Sequence, residues 1–397
     1  MIPTEPLPRA TAPLADLCVF TASDSGDRHM SPDDRLSTAI FAKTPLPISP
    51  TDVAQFVRLD QCRRFLRLRL HERVAGNSFL RDFDVAPQEI PPLLTRAGAE
   101  FEAQVTEEVR ARYRVRDFAA EAPPPGERSP NNHQVIDIAR SLPPGESIVL
   151  LQARLQAEIA GWLITGDIDL LRLERDADGN LHPLIADMKS STTAKVEHRL
   201  QVAFYHELLT RIFDEENLSH APIEMAILYR GESAAIAAVQ GDPLLGAGER
   251  PADIANQIAD AERLFGTSGA LLERVPDPDA YLGAIRDLVT GDRAVARRVT
   301  VTPFADLPFH LTYKCDGCLY NEFCMKWCAQ RDDLSLIPHL TDTEKTALRQ
   351  AGVRTTRDLA TLKEPAPGAR DETELAPAPG REELVARLAT TWPVGPR

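Results

Sequence analysis

The 397 residues carry 59 acidic against 45 basic side chains, a formal charge of −14, which counts against a protein that coats nucleic acid through bulk electrostatics. With 43% hydrophobic residues the chain can bury a sizeable core, organised as one large domain plus smaller pieces. No apolar run reaches membrane-spanning length and the first 20 residues lack the basic start and apolar stretch of a secretion signal, so the expected compartment is the cytoplasm, with no membrane partner.

Residues 1–45 are rich in Pro, Asp and Ser with little periodicity and read as a flexible lead. Ser49 as N-cap and Pro50 in the first turn start a helix that is expected to run on through Cys62. Arg58, Arg63, Arg64 and Arg67, with Arg69 and Arg73 beyond them, crowd this stretch and form either a strip for phosphates or a solvated face over Leu66, Leu68 and Leu70. A helix is expected over 93–112. Strands follow near 155–173 and 181–189, then a helix from Gln201 to about 213, strands at 223–228 and 234–239, and helices near 252–265 and 279–296. This alternation predicts a three-layer α/β domain. Beyond it, 336–360 reads as two short helices joined at Ala351-Gly352-Val353, and from 364 onward Pro, Ala, Gly and charged residues suggest a linker and a final short helix.

Two clusters carry chemistry. Asp169 and Asp187 each lie nine residues from Asp178, inside the turn-forming run Asp176-Ala177-Asp178-Gly179-Asn180, so a hairpin closed there sets the two carboxylates opposite each other on adjacent strands. Facing carboxylates at the ends of apolar strands repel unless a hard divalent cation lies between them, and strand alternation brings Lys189 to the face of Asp187. The plainer reading is an acidic hairpin facing water. Gln201 and Tyr205 lie at i and i+4, hence on one helical face. The second cluster is sulfur. Cys315, Cys318 and Cys324 form a C-x₂-C-x₅-C run, a dense thiolate group suited to Zn²⁺, with Cys328 as a possible fourth ligand, or to an iron–sulfur cluster; Cys18 reads as a lone thiol.

Gly166 with Asp169, then Asp187 with Lys189, then Gln201 with Tyr205 resemble, in this order, the motifs of the PD-(D/E)xK nuclease superfamily and in particular its RecB-like branch. The resemblance implies a restriction-endonuclease-like core, a central mixed sheet flanked by helices, with helical additions and a Cys-ligated cluster. It implies that Asp169, Asp187 and the main-chain carbonyl of Met188 hold Mg²⁺ or Mn²⁺, that Lys189 positions a water, and that Gln201 and Tyr205 complete the catalytic set. Relatives commonly have His three positions after the Gly of the preceding helix; here Gly98 is followed at that place by Phe101, and Glu102 is the substitute metal ligand. Iron–sulfur members, to which the AddB subunit and the CRISPR-associated adaptation exonucleases belong, take one Cys from far upstream. On that pattern a [4Fe-4S] cluster on Cys62, Cys315, Cys318 and Cys324, with Zn²⁺ as the alternative, clasps residues about 250 positions apart.

The same resemblance sets the nuclease domain at 46–330, a segment similar to a helix-hairpin-helix at 331–363, with His339 where a Gly would permit close backbone approach, and the linker and C-terminal helix at 364–397. The function implied is a metal-dependent DNA nuclease, an exonuclease on single strands or ends, in repair, recombination, CRISPR adaptation or phage defence. DNA is its partner, and a helicase or CRISPR adaptation proteins are possible companions. The alternative is a noncatalytic DNA-binding or scaffold subunit that retains the cluster, and Phe101 is the residue that favours it.

Overall fold

In the computed structural model the described residues are 36, 38–42, 44–86, 92–120, 129–231 and 251–361. Nearly all of the expected lead, Cys18, the strand at 234–239 and the linker and helix at 364–397 lie outside the described residues. Chain entry into the domain is fixed by a reciprocal cap. After β1 (Leu46–Ile48), the Ser49 hydroxyl accepts from the Asp52 amide while the Asp52 carboxylate accepts from the Ser49 amide, and Pro50 starts α1 (Pro50–Arg58). One helix through Cys62 is not what forms. Asp60 and Gln61 adopt left-handed φ values of 53° and 55°, the chain turns, and Cys62 becomes the N-cap of α2 (Arg63–Ala75). Asp52 ties the two helices together through ion pairs to Arg69, at 3.0 Å, and Arg73.

The long helix α3 (Pro92–Arg112) leads through β2 (Val115–Asp117) and α4 (Asn132–Ser141), neither of which the apolar periodicity announces, into the sheet. The apolar stretch expected near 155–173 resolves into two strands, β3 (Ser147–Ile159) and β4 (Trp162–Arg175), joined by Ala160 and Gly161. Both of these residues have positive φ, 52° and 77°, the conformation that a two-residue hairpin turn needs. β5 (Leu181–Lys189) follows the second hairpin; α5 (Val196–Glu215) crosses to β6 (Glu224–Tyr229), which lies parallel to β5; then come α6 (Pro251–Phe265) and β7 (Leu271–Arg274).

The strands make one curled mixed sheet in the order β2-β3-β4-β5-β6-β7, with β1 pairing beside β4. β3 runs along one edge of β4 from Trp162 to Glu174, with a break at Asp169. On the other edge β1 holds Trp162 to Ile164 and β5 holds Leu170 to Arg175, so residues 165–169 of β4 lie in a fork between two neighbours. The sheet is buried on both faces. Phe101, Val105 and Val109, at four-residue spacing on α3, and Ala261, Leu264 and Phe265 of α6 cover Leu170, Leu184, Ala186, Met188 and Leu228. On the opposite face α1 and α5 cover Ile168, Leu171, Ile185 and Ile227. This is the three-layer α/β arrangement.

The helix expected at 279–296 is broken. α7 (Pro278–Ile285) passes into a single π-type turn, Arg286–Thr290, which closes by a bond from the Gly291 amide to the Arg286 carbonyl, and α8 (Val295–Val301) restarts beyond it. α9 (Asn321–Gln330) bears Cys324 and Cys328. The two short helices of the C-terminal segment are α10 (Asp342–Gln350) and α11 (Thr356–Ala360), and they dock on the domain through buried Lys345, which donates to Asp333 at 2.7 Å, Ser335 at 2.6 Å and the Phe309 carbonyl at 3.0 Å.

Candidate active site

Asp169 lies in the fork of the sheet. The β4–β5 register, running from Arg175↔Leu181 to Leu170↔Ala186, extrapolates by one step to Asp169 facing Asp187. The ladder stops just short of that pair, at Leu170↔Ala186. Each oxygen of Asp169 is held: the Met188 amide donates to Oδ2 at 2.8 Å and the Gln152 side chain to Oδ1 at 3.1 Å. Gln152 sits opposite on β3 with a φ of 52°, a left-handed kink inside a strand and the kind of local strain that concentrates at functional positions. Asp187 is 1% exposed. Its Oδ1 accepts from Gln201 Nε2 at 3.2 Å, and its Oδ2, without a hydrogen bond among the described residues, carries the Lys189 ammonium at 2.6 Å.

The electrostatics follow from this burial. Desolvation raises the Asp187 pKa; Lys189 opposes the shift and neighbouring Asp169 adds to it. For Lys189, burial pulls the ammonium down, but Asp187 and Asp169 outweigh it and hold the amine above its usual value, so it is cationic at neutral pH. Glu102 is raised by burial and by Asp169, with Lys189 opposing. It therefore stands within electrostatic reach of the pair, on the solvent side of α3, while Phe101 turns inward at 2% exposure to pack with Met188 and Ala186. That packing is why this helix presents a carboxylate and not the residue at 101.

Gln201 and Tyr205 converge as the helical spacing predicts, Gln201 Nε2 also donating to the Tyr205 hydroxyl at 3.1 Å. Gly166 has a steric reason: a Cβ built there would lie 2.6 Å from the Tyr205 ring and 3.1 Å from Pro50. Two residues of the site escape the sequence reading. Gln152 carries no local signal. His198, by contrast, lies three residues before Gln201 on the same helical face as Tyr205, which is the signal that finds it. Burial, and the charges of Lys189, Lys195 and Arg199, push its imidazole down to about 4.

The cysteines come from distant parts of the chain. Cys62 caps α2, Cys315 lies in a 3₁₀ turn, Cys318 follows it, and Cys324 is on α9; all are free thiols. Arg58 donates to the Gly317 carbonyl at 2.8 Å and Lys314 pairs with Asp60 at 2.5 Å, so the Cys62 turn and the Cys315 turn are bridged directly. Cys62, Cys315 and Cys318 line a cavity of about 470 Å³ with Arg63, His310 and Lys314. Burial is the leading cause that raises the thiols of Cys62 and Cys324, and that pushes Cys318 up to about 12.

A solvent-facing arginine strip along this stretch is corrected. Arg64 and Arg67 are 0% exposed. Arg67 donates to the carbonyls of Val299, at 2.8 Å, Thr300, at 2.7 Å, and Leu36, at 2.9 Å, and Arg64 lies among Phe304, Phe309 and Trp327. Neither guanidinium reaches a phosphate in solution. Arg58 is taken by the Cys315 turn, and Arg63 alone of the four borders the cavity.

Among the described residues no group of three or more His, Cys, Asp and Glu side chains is close-set enough to hold a metal ion. The donor chemistry nonetheless suits two different metals: hard oxygens at Asp169 and Asp187, one of them a buried carboxylate oxygen without a hydrogen bond, for Mg²⁺ or Mn²⁺, and thiols at the cysteines for a softer centre. No helix among the described residues is long and apolar enough to cross a membrane. No curated protein matches the chain. The model of the PD-(D/E)XK nuclease superfamily matches residues 62–325, a span holding strands β2 to β7, the two aspartates, Lys189 and the Gln201 helix, and the chain belongs to that superfamily.

Proposed function

We propose that the protein is a Mg²⁺- or Mn²⁺-dependent deoxyribonuclease that trims single-stranded DNA or DNA ends. The observation that carries this is the buried Asp187–Lys189 pair at 2.6 Å, set against Asp169 in the fork of the sheet. A bound divalent ion supplies polarisation of the scissile phosphate and acidification of a water. The protein's own groups do the rest. Lys189, about one quarter exposed at its side chain, offers its ammonium to the attacking water and to the charge that develops on the phosphate. Gln201 fixes the carboxylate plane of Asp187, and the Met188 amide and Gln152 fix that of Asp169, so neither acid must reorient when a cation is taken up. Glu102 is the third acid of the set. The preference for ends rests on the resemblance to RecB-like nucleases.

The cysteine group is proposed to carry a [4Fe-4S] cluster on Cys62, Cys315, Cys318 and Cys324, a structural clasp between α2 and α9. Its support is the C-x₂-C-x₅-C spacing and the meeting of Cys62 with the Cys315 turn. Protein purified without oxygen is expected to be brown and to contain about four iron atoms per chain; a colourless sample with stoichiometric zinc replaces the cluster by a zinc site.

Catalysis is tested with end-labelled single-stranded DNA and Mg²⁺ or Mn²⁺. Lys189→Ala is expected to slow degradation by at least about 100-fold, the scale for removing one transition-state charge partner. Equal behaviour of wild type and Lys189→Ala rejects the nuclease reading in favour of a noncatalytic DNA-binding subunit.

A further inference from the structure

Among the described residues, the Arg64 guanidinium has no hydrogen-bond or ion-pair partner. Its side chain is 0% exposed, and none of its Nε, Nη1 and Nη2 atoms makes a hydrogen bond to a described residue. The guanidinium lies 3.3 Å from the ring centre of Phe309, 3.8 Å from that of Trp327 and 4.7 Å from that of Phe304. Three aromatic faces recover only part of the hydration that a fully buried cation gives up. Arg67, one turn further along the same helix and equally buried, has three carbonyls on its two terminal nitrogens, and only its Nε makes no hydrogen bond among the described residues. Asp333 attracts Arg64, but that carboxylate already holds Lys345 at 2.7 Å and the Ser335 amide at 2.8 Å. Arg64 stands two residues beyond Cys62 at the start of α2, and the Phe309 ring that its guanidinium covers lines the same cavity as Cys62, Cys315 and Cys318.

Four thiolates on a doubly charged core, whether Zn²⁺ or an oxidised iron–sulfur cubane, leave a group of net charge about −2. Such a group needs a counter-charge close by, and the Arg64 guanidinium is hydrogen-bonded to no anion among the described residues. We propose that Arg64 is the internal counter-cation of an anionic metal–thiolate group held by Cys62, Cys315, Cys318 and Cys324. The inference rests on the metal reading of the cysteines and adds to it the residue that offsets their charge. Arg64 is a positioning and charge-balancing residue, remote from the aspartate site.

The test uses the full chain as wild type, Arg64→Lys and Arg64→Met, each purified without oxygen. Iron and zinc per chain, the rate of metal loss to a chelator, and the melting temperature of the chelator-stripped proteins are measured. Arg64→Met is expected to lose metal at least about tenfold faster than wild type, the range seen when outer-shell partners of a metal site are removed, with Arg64→Lys in between. Stripped Arg64→Met is expected to melt at or above stripped wild type, because an apolar chain of similar length removes an unpaired buried charge. Equal metal retention by wild type and Arg64→Met overturns the proposal. So does a stripped Arg64→Met that melts below stripped wild type, since the guanidinium is then a packing element alone. A wild type holding neither iron nor zinc refutes the metal reading itself, and that result needs no variant.

Discussion

His198 sits where three cations press on one imidazole. Its Nδ1 accepts from the Lys195 amide at 3.3 Å, and burial together with Lys189, Lys195 and Arg199 keeps the ring neutral down to about pH 4. In the unfolded chain the same ring titrates near about 6.5. Between those two values the unfolded state takes up a proton that the folded state refuses, so stability is full above about pH 6.5 and falls as the pH falls through this window. His198→Gln is expected to remove about 1 kcal/mol of that acid sensitivity, a figure reduced for partial solvent screening. Melting curves at pH 7.5 and pH 4.5 read it, and an unchanged difference between the two pH values in the variant rejects the assignment. The neighbouring Lys189 behaves in the opposite sense: its carboxylate partners keep the proton on, so the charge needed beside a phosphate persists over the whole neutral range.

Two elements make the site by meeting at a glycine. β4 crosses under α5 at Gly166, where the Tyr205 ring occupies the volume that any side chain would need. Gly166→Ala is expected to destabilise the fold by about 1–3 kcal/mol through overpacking and to displace Tyr205, and with it Gln201, from Asp187. Urea denaturation measures the first effect and the cleavage assay the second; a variant of unchanged stability and rate shows that the contact is slack. The register of the β4–β5 hairpin up to Leu170↔Ala186 was legible at this scale because a turn and strand alternation are local: Asp176 and Asn180 close the hairpin by reciprocal bonds, and the register then follows by counting. The helix through Cys62 was not legible, since two left-handed residues break it and neither is a glycine. Nor was the hairpin at Ala160 and Gly161, which sits inside a segment rich in Ile, Leu and Trp on both sides of the turn.

Across the whole molecule, α2 is the hub that ties the chain's beginning to its cysteine-bearing end. Arg67 bonds residues 36, 299 and 300 and Tyr320 donates to Glu72 at 2.6 Å, while just before α2 Arg58, at the end of α1, and Asp60, in the turn, hold the Cys315 turn. Arg67→Met strips three buried carbonyls of their donor and is expected to destabilise the fold by about 3 kcal/mol, while the salt dependence of DNA binding stays at the wild-type slope. A reduced slope in that titration instead places Arg67 on a phosphate. This hub shows where sequence reading of cations fails. A run of arginines on one helix looks like a binding strip until the rest of the chain covers it.

By itself the sequence determined the α/β class, the paired acids with their lysine, the helical Gln–Tyr couple and the spacing of the thiols, because each is set by a period or a turn within a few tens of residues. Only the tertiary structure decided that Phe101 faces inward and Glu102 outward, that Gln152 and His198 join the site, and that Arg64 and Arg67 are buried. Those outcomes depend on partners brought from far along the chain, such as Val299, Phe309 and Trp327 against α2, and no local pattern encodes which surface a remote segment will cover.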